Sequence, residues 1–319
     1  MRIIVTGGAG FLGSHLCDKL IERGDQVIAI DNFLTGDPGN IAHLQNSPDF
    51  QFVEADANEA FPEDLDFDQL YHLASPASPN KNNPQSYIAL PFETMRVNSF
   101  GTWNLCEEAG ARGAKFLFAS TSETYGDPLE HPQKETYKGN VSTTGPRSVY
   151  DESKRFGETI TAAFVNHRKL DGRIIRIFNT YGPRMAADGR VVIEFLLAAL
   201  QNQPLPVFGD GTQTRSFCYV SDLVDGIIAA MDKGDKGEIY NLGNPNEFSL
   251  LELAEVVKKV TGVNSQIQFA EKLPVDDPLR RCPDITKARE KLGWEPKVQL
   301  EEGLKKLVVY LQNIPRPQA

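Results

Sequence analysis

The sequence predicts an α/β protein: a doubly wound parallel sheet with a smaller, discontinuous α/β substrate domain. Three observations carry this expectation. Short apolar runs alternate with longer amphipathic stretches through the first half of the 319-residue chain, a glycine-rich turn directly follows the first run, and the alternation becomes irregular after about residue 178.

The runs Ile3 to Thr6, Val27 to Ile30, Gln51 to Val53, Gln69 to Leu73, Lys115 to Ala119 and Arg173 to Ile177 are too short for helices and read as strands. Between them, Phe11 to Arg23 and Thr94 to Ala111 carry apolar residues at helical spacing and close near Gly24 and Gly113. Farther on come a helix from Val191 to Gln201, an extended run from Leu205 to Phe208 containing Pro206, and the turn Gly209-Asp-Gly211. Helices at Ser221 to Met231, Leu250 to Thr261 and Leu300 to Leu311, with a strand at Ile239 to Leu242, complete the pattern. We expect residues 1–178 with 213–243 to form the cofactor domain and residues 179–212 with 244–319 the substrate domain. No linker separates them, so a shared cleft is expected. The Pro-rich segment 314–319 reads as a frayed end.

Lys plus Arg number 33 and Asp plus Glu 43, a net charge of -10, which gives no broad attraction for nucleic acid or anionic lipid. No apolar run approaches a membrane span. An anionic ligand must therefore be held by a few placed cations and backbone amides. Cys17, Cys106, Cys218 and Cys282 show no paired spacing, and the five histidines form no ligand pattern with them. Neither a metal site nor a disulfide framework is expected, and a reducing cytoplasm fits. Residue 1 leads straight into a strand, with no charged and apolar leader ahead of it.

Thr6-Gly7-Gly8-Ala9-Gly10-Phe11-Leu12-Gly13 lies between the first strand and the first helix, the context of a dinucleotide-binding, Rossmann-type turn. Gly7 permits the tight turn, Gly10 lets a pyrophosphate approach the backbone, and Gly13 lets helix and strand pack closely. Asp31 ends the second strand 18 residues after Gly13, where a carboxylate accepts from ribose hydroxyls and repels a 2'-phosphate. NAD is favoured over NADP. Asp56, after the third strand, either reaches the adenine or caps its own loop. Tyr150 and Lys154, at i and i+4 on a helical stretch, project from one face. An ammonium beside a phenol favours the phenolate, a base for an alcohol proton, and Thr121 at the end of the fifth strand can hold the same substrate oxygen.

Taken together, the glycine turn, Asp31, the set Thr121, Tyr150 and Lys154, and Asn179-Thr-Tyr-Gly-Pro-Arg184 resemble the extended short-chain dehydrogenase/reductase superfamily along essentially the whole chain. Within it, four segments resemble the UDP-glucuronate decarboxylases, also called UDP-xylose synthases. These are Thr121-Ser-Glu-Thr-Tyr-Gly-Asp-Pro128, Gly145-Pro-Arg-Ser-Val-Tyr-Asp-Glu152, the stretch from Gly209 to Asp225, and Arg280-Arg-Cys-Pro-Asp-Ile285. The resemblance implies cofactor contacts from Phe11, Leu12, Asn32, Leu73, Ala74 and Asn98. It implies substrate contacts from Tyr87, Asn179, Arg190, Val191, Val207, Arg215 and Tyr219, with Arg215 the cation best suited to a diphosphate. A homodimer formed through helices like Thr94 to Ala111 and Arg147 to His167 is also implied, although Val149, Phe156, Ile160 and Phe164 would serve equally as core.

Residues beside the sugar separate the relatives. The 4,6-dehydratases call for an aspartic acid where Ser122 stands, and serine is a poor general acid. The 4-epimerases typically lack an acid at the position of Glu123. A substrate carboxylate needs a cation, which the resemblance assigns to Arg281, or to Arg280 if the register shifts by one. The bland alternatives are a turn cap or a pairing with a cation for Glu123, and an exposed pair with Asp284 for Arg281. The implied reaction starts as Tyr150 takes the 4-hydroxyl proton and hydride passes to NAD. Carbon dioxide then leaves the beta-keto acid, Glu123 and Arg281 govern protonation at carbon 5, and hydride return gives UDP-xylose. One departure concerns Asn80-Lys-Asn-Asn-Pro-Gln-Ser86, extra residues that read as a solvated loop near the sugar end from which Lys81 can approach the substrate. It leaves open which nucleotide-sugar is used, and with it a 4-epimerase or a 4,6-dehydratase.

Overall fold

The computed structural model describes residues 1–59, 61, 65–270 and 280–313, so the Pro-rich segment 314–319 lies outside the described residues. Strands β1 (Arg2–Thr6), β2 (Gln26–Asp31), β3 (Phe50–Glu54), β4 (Gln69–His72), β5 (Lys115–Thr121) and β6 (Asp171–Ile177) join Ile239–Leu242 in one seven-stranded sheet. Its order is β3, β2, β1, β4, β5, β6, Ile239–Leu242, with every neighbouring pair parallel. Ile3, Ile4 and Val5 of β1 are all buried, because a central parallel strand is covered on both faces. Chain order reverses beside β1, and the crevice at that reversal is where open α/β sheets bind ligands.

Helices α1 (Phe11–Glu22), α2 (Pro91–Arg96), α3 (Thr102–Arg112) and α4 (Ser148–Arg168) cover this sheet together with α6 (Val220–Lys233), and α5 (Val191–Leu200) begins the smaller part. The helix expected over Thr94 to Ala111 is broken by a π turn at Val97–Gly101. Its surroundings are crowded: a Cβ on Gly101 would stand 3.0 Å from Asn58 Oδ1, and a Cβ on Gly157 of α4 would stand 2.8 Å from Asn98 O. One apolar cluster joins Ile3, Val5 and Leu117 to Val207, Leu253 and Trp294, and so runs beneath both parts of the chain. Ile4, Leu70, Phe116, Phe118, Ile160 and Phe164 form a second cluster on the opposite sheet face. Ile160 and Phe164 are thus core, whereas Phe156 is 54% exposed.

The smaller part adds α7 (Leu250–Thr261), α8 (Thr286–Leu292) and α9 (Leu300–Asn313). Helix α7 has the expected bounds, and Ser249 with Glu252 forms a capping box at its start. Short strands tie this part together: Leu205–Phe208 matches the expected extended run, and the strands of two and three residues have no counterpart in the sequence pattern. Thr214–Ser216 pairs with both Glu247–Ser249 and Arg280–Arg281, while Leu205–Phe208 pairs with Ile267–Ala270. Two or three residues are too few to show a period of two. Among the described residues, no helix is long and apolar enough to cross a membrane.

The β1–α1 turn is the tightest point of the sheet crevice. A Cβ on Gly13 would meet Gly7 O at 2.0 Å and Gly8 Cα at 2.9 Å, both backbone atoms that cannot swing aside. Gly13→Ala is therefore expected to cost about 1–3 kcal/mol of unfolding free energy, the usual range for overpacking. Chemical denaturation should show a lowered midpoint, and a wild-type midpoint would contradict the packing described.

Candidate active site

A cleft of about 1550 Å³ runs from the β1–α1 turn to the strand Arg280–Arg281. At one end lie Gly7, Gly10, Phe11, Leu12 and Gly13. Gly7 has φ +74°, and a Cβ there would stand 2.8 Å from Ala74 N. Gly10 caps α1 with no side-chain hydrogen bond, which leaves the first-turn amides to a ligand anion. Asp31, at the end of β2, accepts from Ala9 N at 3.0 Å and Phe33 N at 2.9 Å. Burial raises the pKa of its carboxyl against the pull of these amide bonds. Asn32, Leu73 and Ala74 also line the cleft. So does Asp56, whose Oδ1 accepts from Asn58 N at 2.9 Å and therefore caps its own turn. A glycine cradle, free helix-start amides and a carboxylate at the strand end fit a dinucleotide with free ribose hydroxyls.

Midway along the cleft, β5 delivers Thr121 and α4 delivers Tyr150 and Lys154, all buried. Thr121 lies beside the Tyr150 phenol and lowers its pKa, and Thr121 Oγ1 accepts from Glu123 N at 3.2 Å. Lys154 Nζ donates to Ala119 O at 2.8 Å and lies 5.9 Å from the centre of the Tyr150 ring. Burial pulls Lys154 down to about 7, partly offset by Glu158. Burial also pushes the Tyr150 phenol up, with the Glu123 charge adding to it and Thr121 opposing. In the protein alone, desolvation outweighs the ammonium effect expected from sequence.

The sugar end is organised around Glu123, in the 3-10 turn Ser122–Tyr125. Its Oε2 accepts from Arg147 Nη2 at 2.6 Å, and its Oε1 accepts from Arg281 Nη1. Burial alone would raise the Glu123 carboxyl, but Arg147 first and Arg281 next hold it well below the usual carboxylate range. The register question is resolved as well. Arg281 pairs in register with Arg215, and its side chain is 4% exposed, while the Arg280 side chain is 58% exposed and lies 3.6 Å from Glu247. Tyr87 stacks on Tyr150 with ring centres 4.7 Å apart and planes 8° from parallel. Tyr87 Oη and Arg281 Nε are buried donors with no partner among the described residues. Both belong to residues lining the cleft, although these two atoms are themselves inaccessible.

Of the remaining sequence candidates, Asn179, Arg190, Val191 and Arg215 line the cleft. Arg190 is anchored there by Asp188 at 2.9 Å and lies over the Phe11 ring. Three candidates do not line it. Asn98 is fully buried under α4, donating to Ser153 Oγ at 3.1 Å. Val207 points into the core, because strand alternation turns Pro206 and Phe208, rather than Val207, toward the cleft. Tyr219 packs edge-on against Tyr181 and beneath Lys306. The 80–86 loop is more than a solvated excursion: Asn80, Lys81, Asn82, Asn83 and Gln85 line the cleft, and Gln85 Nε2 reaches Leu34 O at 3.2 Å.

Arg147, which lines the cleft, escaped the sequence reading. Arg147 stands three residues before Tyr150, one helical turn away on the same face, and that spacing was the available signal. His131, Glu247 and Cys282 place possible ligand atoms within 4.8 Å of one another, a grouping that the sequence spacing did not show. Glu247 is already engaged by His131 at 2.7 Å and Thr214 at 2.6 Å, and burial holds the Cys282 thiol up at about 12, so the group reads as a hydrogen-bonded cluster.

Comparison with known proteins agrees with this geometry. Residues 3–243 match the NAD dependent epimerase/dehydratase family. UDP-glucuronic acid decarboxylase 1 of Arabidopsis thaliana is 53% identical over 314 residues, covering 98% of this chain and 70% of the relative. UDP-glucuronic acid decarboxylase 1 of Danio rerio is 47% identical, with 100% and 77% covered. Among solved structures, the UDP-glucuronic acid 4-epimerase of Bacillus cereus, in complex with UDP-glucuronic acid and NAD, has a TM-score of 0.84 at 30% identity, covering 99% of this chain and 100% of that one. The glycine cradle, the Thr121, Tyr150 and Lys154 set and these matches lead to one conclusion: the chain belongs to the NAD dependent epimerase/dehydratase family.

Proposed function

We propose that the protein decarboxylates UDP-glucuronate to UDP-xylose, with residues 1–178 and 213–243 holding NAD and residues 179–212 and 244–319 holding the nucleotide-sugar. The observation that carries this reading is Glu123 gripped by Arg147 and Arg281 next to Tyr150. Two guanidinium groups against one carboxylate leave a net positive charge where a hexuronate carboxylate would lie, with Arg215 in register beside it. The decarboxylase relatives at 47–53% identity support the same assignment.

The glycine turn Gly7 to Gly13 and Asp31 would hold NAD, which would supply the acceptor and donor for the hydride of carbon 4. Tyr150 removes the 4-hydroxyl proton while Thr121 holds the oxygen in place. Oxidation makes the sugar a beta-keto acid, whose carboxyl group leaves as carbon dioxide because its electron pair delocalises into the new carbonyl. Thr121 and Tyr150 then stabilise the enolate oxygen by hydrogen bonding. Arg281 and Tyr87 orient the carboxyl group across the carbonyl plane, and Tyr150 finally returns its proton to oxygen 4. A 4-epimerase is the second reading, supported by the similarity in structure to the Bacillus cereus enzyme. Glu123 between two arginines favours the decarboxylase.

We also infer a homodimer. Phe92, Phe100, Trp103 and Phe156 are 45–75% exposed on α2, the π turn, α3 and α4. Exposed aromatic side chains grouped on neighbouring helices mark a protein interface. A cytoplasmic location is part of the same proposal, supported by four free, buried cysteines.

Incubation with NAD and UDP-glucuronate should release carbon dioxide and UDP-xylose in equal amounts, and full turnover without gas would contradict the decarboxylase. Tyr150→Phe is expected to lower kcat by about 10²–10⁴-fold, the scale of general base catalysis, and an unaffected kcat would remove Tyr150 from the reaction. Phe156→Glu should sediment as a monomer where wild type sediments as a dimer, and an unchanged sedimentation coefficient would place the interface elsewhere.

A further inference from the structure

The guanidinium of Arg281 is held by Glu123, yet the strand that carries it, Arg280–Arg281, is only 2 residues long. Its residues pair in parallel with Thr214 and Arg215, and Ser216 Oγ donates to Arg281 O at a long 3.4 Å. So short a ladder fixes a backbone poorly. Gln133 supplies a further hold. It is fully buried and does not line the cleft. Its Oε1 accepts at 2.9 Å from Cys282 N, the amide of the peptide group that leaves Arg281, and its backbone N donates to Cys282 O at 2.9 Å. Gln133 O accepts from Asp284 N at 2.8 Å, and Gln133 Nε2 donates to Glu130 O at 2.8 Å. Each polar group of this residue has a partner, and all but Nε2 bond to the chain just after Arg281.

Asn241 extends this network to the other half of the ion pair. Buried on the edge strand Ile239–Leu242, it donates from Nδ2 to Gln133 O at 3.0 Å and accepts at Oδ1 from Tyr125 Oη at 2.7 Å. Tyr125 closes the 3-10 turn that carries Glu123, and Arg281 Nη2 reaches the next residue, donating to Gly126 O at 3.4 Å. Glu123 and Arg281 are therefore hung from one buried set of hydrogen bonds, through Tyr125, Asn241 and Gln133, none of which lines the cleft. Buried amides are costly when a partner is lost, so such a network holds one arrangement firmly.

We propose that Gln133 is a positioning residue for recognition of the substrate carboxylate: by fixing the peptide group after Arg281, it sets where the guanidinium meets Glu123 and the acidic sugar. Gln133 touches neither substrate nor cofactor, and it acts on the ligand through Arg281. Its effect is therefore confined to ligands that carry a carboxylate at carbon 5 of the sugar. A residue that served the fold alone would affect every ligand of the cleft alike.

This inference rests on the decarboxylase reading, and the test separates the two. Calorimetry on the NAD-loaded protein would compare UDP-glucuronate with UDP-xylose, which lacks the carboxyl group, in wild type, Gln133→Met, Arg281→Met and the double variant. Methionine is close to glutamine in size but offers no amide to Cys282 N and Glu130 O. Gln133→Met should weaken UDP-glucuronate binding by about tenfold or more, the scale of a displaced hydrogen bond to a charged group, and UDP-xylose binding by less than about twofold. Added to Arg281→Met, it should change UDP-glucuronate affinity by less than about twofold, because both substitutions cut one path. Equal weakening of both ligands, unchanged binding of both, or an additive loss in the double variant would overturn the proposal. Should Gln133→Met fail to fold, wild type alone decides: hydrogen exchange across residues 130–134 should slow on binding UDP-glucuronate and not on binding UDP-xylose. The same exchange with either ligand would overturn the proposal. Absence of carbon dioxide from wild type given UDP-glucuronate would instead overturn the decarboxylase reading on which it stands.

Discussion

The Glu123 carboxylate, bound on one oxygen by Arg147 and on the other by Arg281, is the constraint that the rest of the site obeys. It joins three separate pieces of chain: the turn at the end of β5, the start of α4 and the strand Arg280–Arg281. A buried ion pair stabilises little by itself, because desolvation of its charges offsets most of the attraction, but losing one partner leaves the other charge buried and uncompensated. Its value here lies in geometry. It fixes Arg281 at the sugar end of the cleft and holds α4 against β5, with Tyr150 beside Thr121.

Around that clamp, desolvation governs proton affinities. Burial pushes the Tyr150 phenol up and pulls Lys154 down to about 7, so neither group stands ready in the protein alone to act as the simple phenolate–ammonium pair. The cleft instead presents Arg281, Arg147 and Arg215 around Glu123, positive charge that suits a bound anion. Binding of the acidic sugar and activation of the base are in this way properties of one electrostatic unit.

Much of this was legible in the chain because strong local signals coincide with structural need. The glycine turn, Asp31, and the spacing of Tyr150 and Lys154 are short-range patterns that the sheet crevice requires, and α7 carries its own capping box. What escaped depends on tertiary contact. The π turn at 97–101 accompanies close packing against α4 and Asn58, which leaves no periodic trace. Tyr219 and Val207 read as ligand contacts, yet a two-residue strand and strand alternation turn their side chains into the core. Arg147 acquires meaning only once Glu123, 24 residues before it, is folded against α4.

A crystal structure with NAD and UDP-glucuronate bound tests the central claim most directly. The account predicts the hexuronate carboxylate within roughly 3 Å of the Arg281 guanidinium and the 4-hydroxyl at hydrogen-bond distance from Tyr150 and Thr121. A carboxylate directed instead toward solvent at the 80–86 loop, with the 4-hydroxyl away from Tyr150, would contradict it.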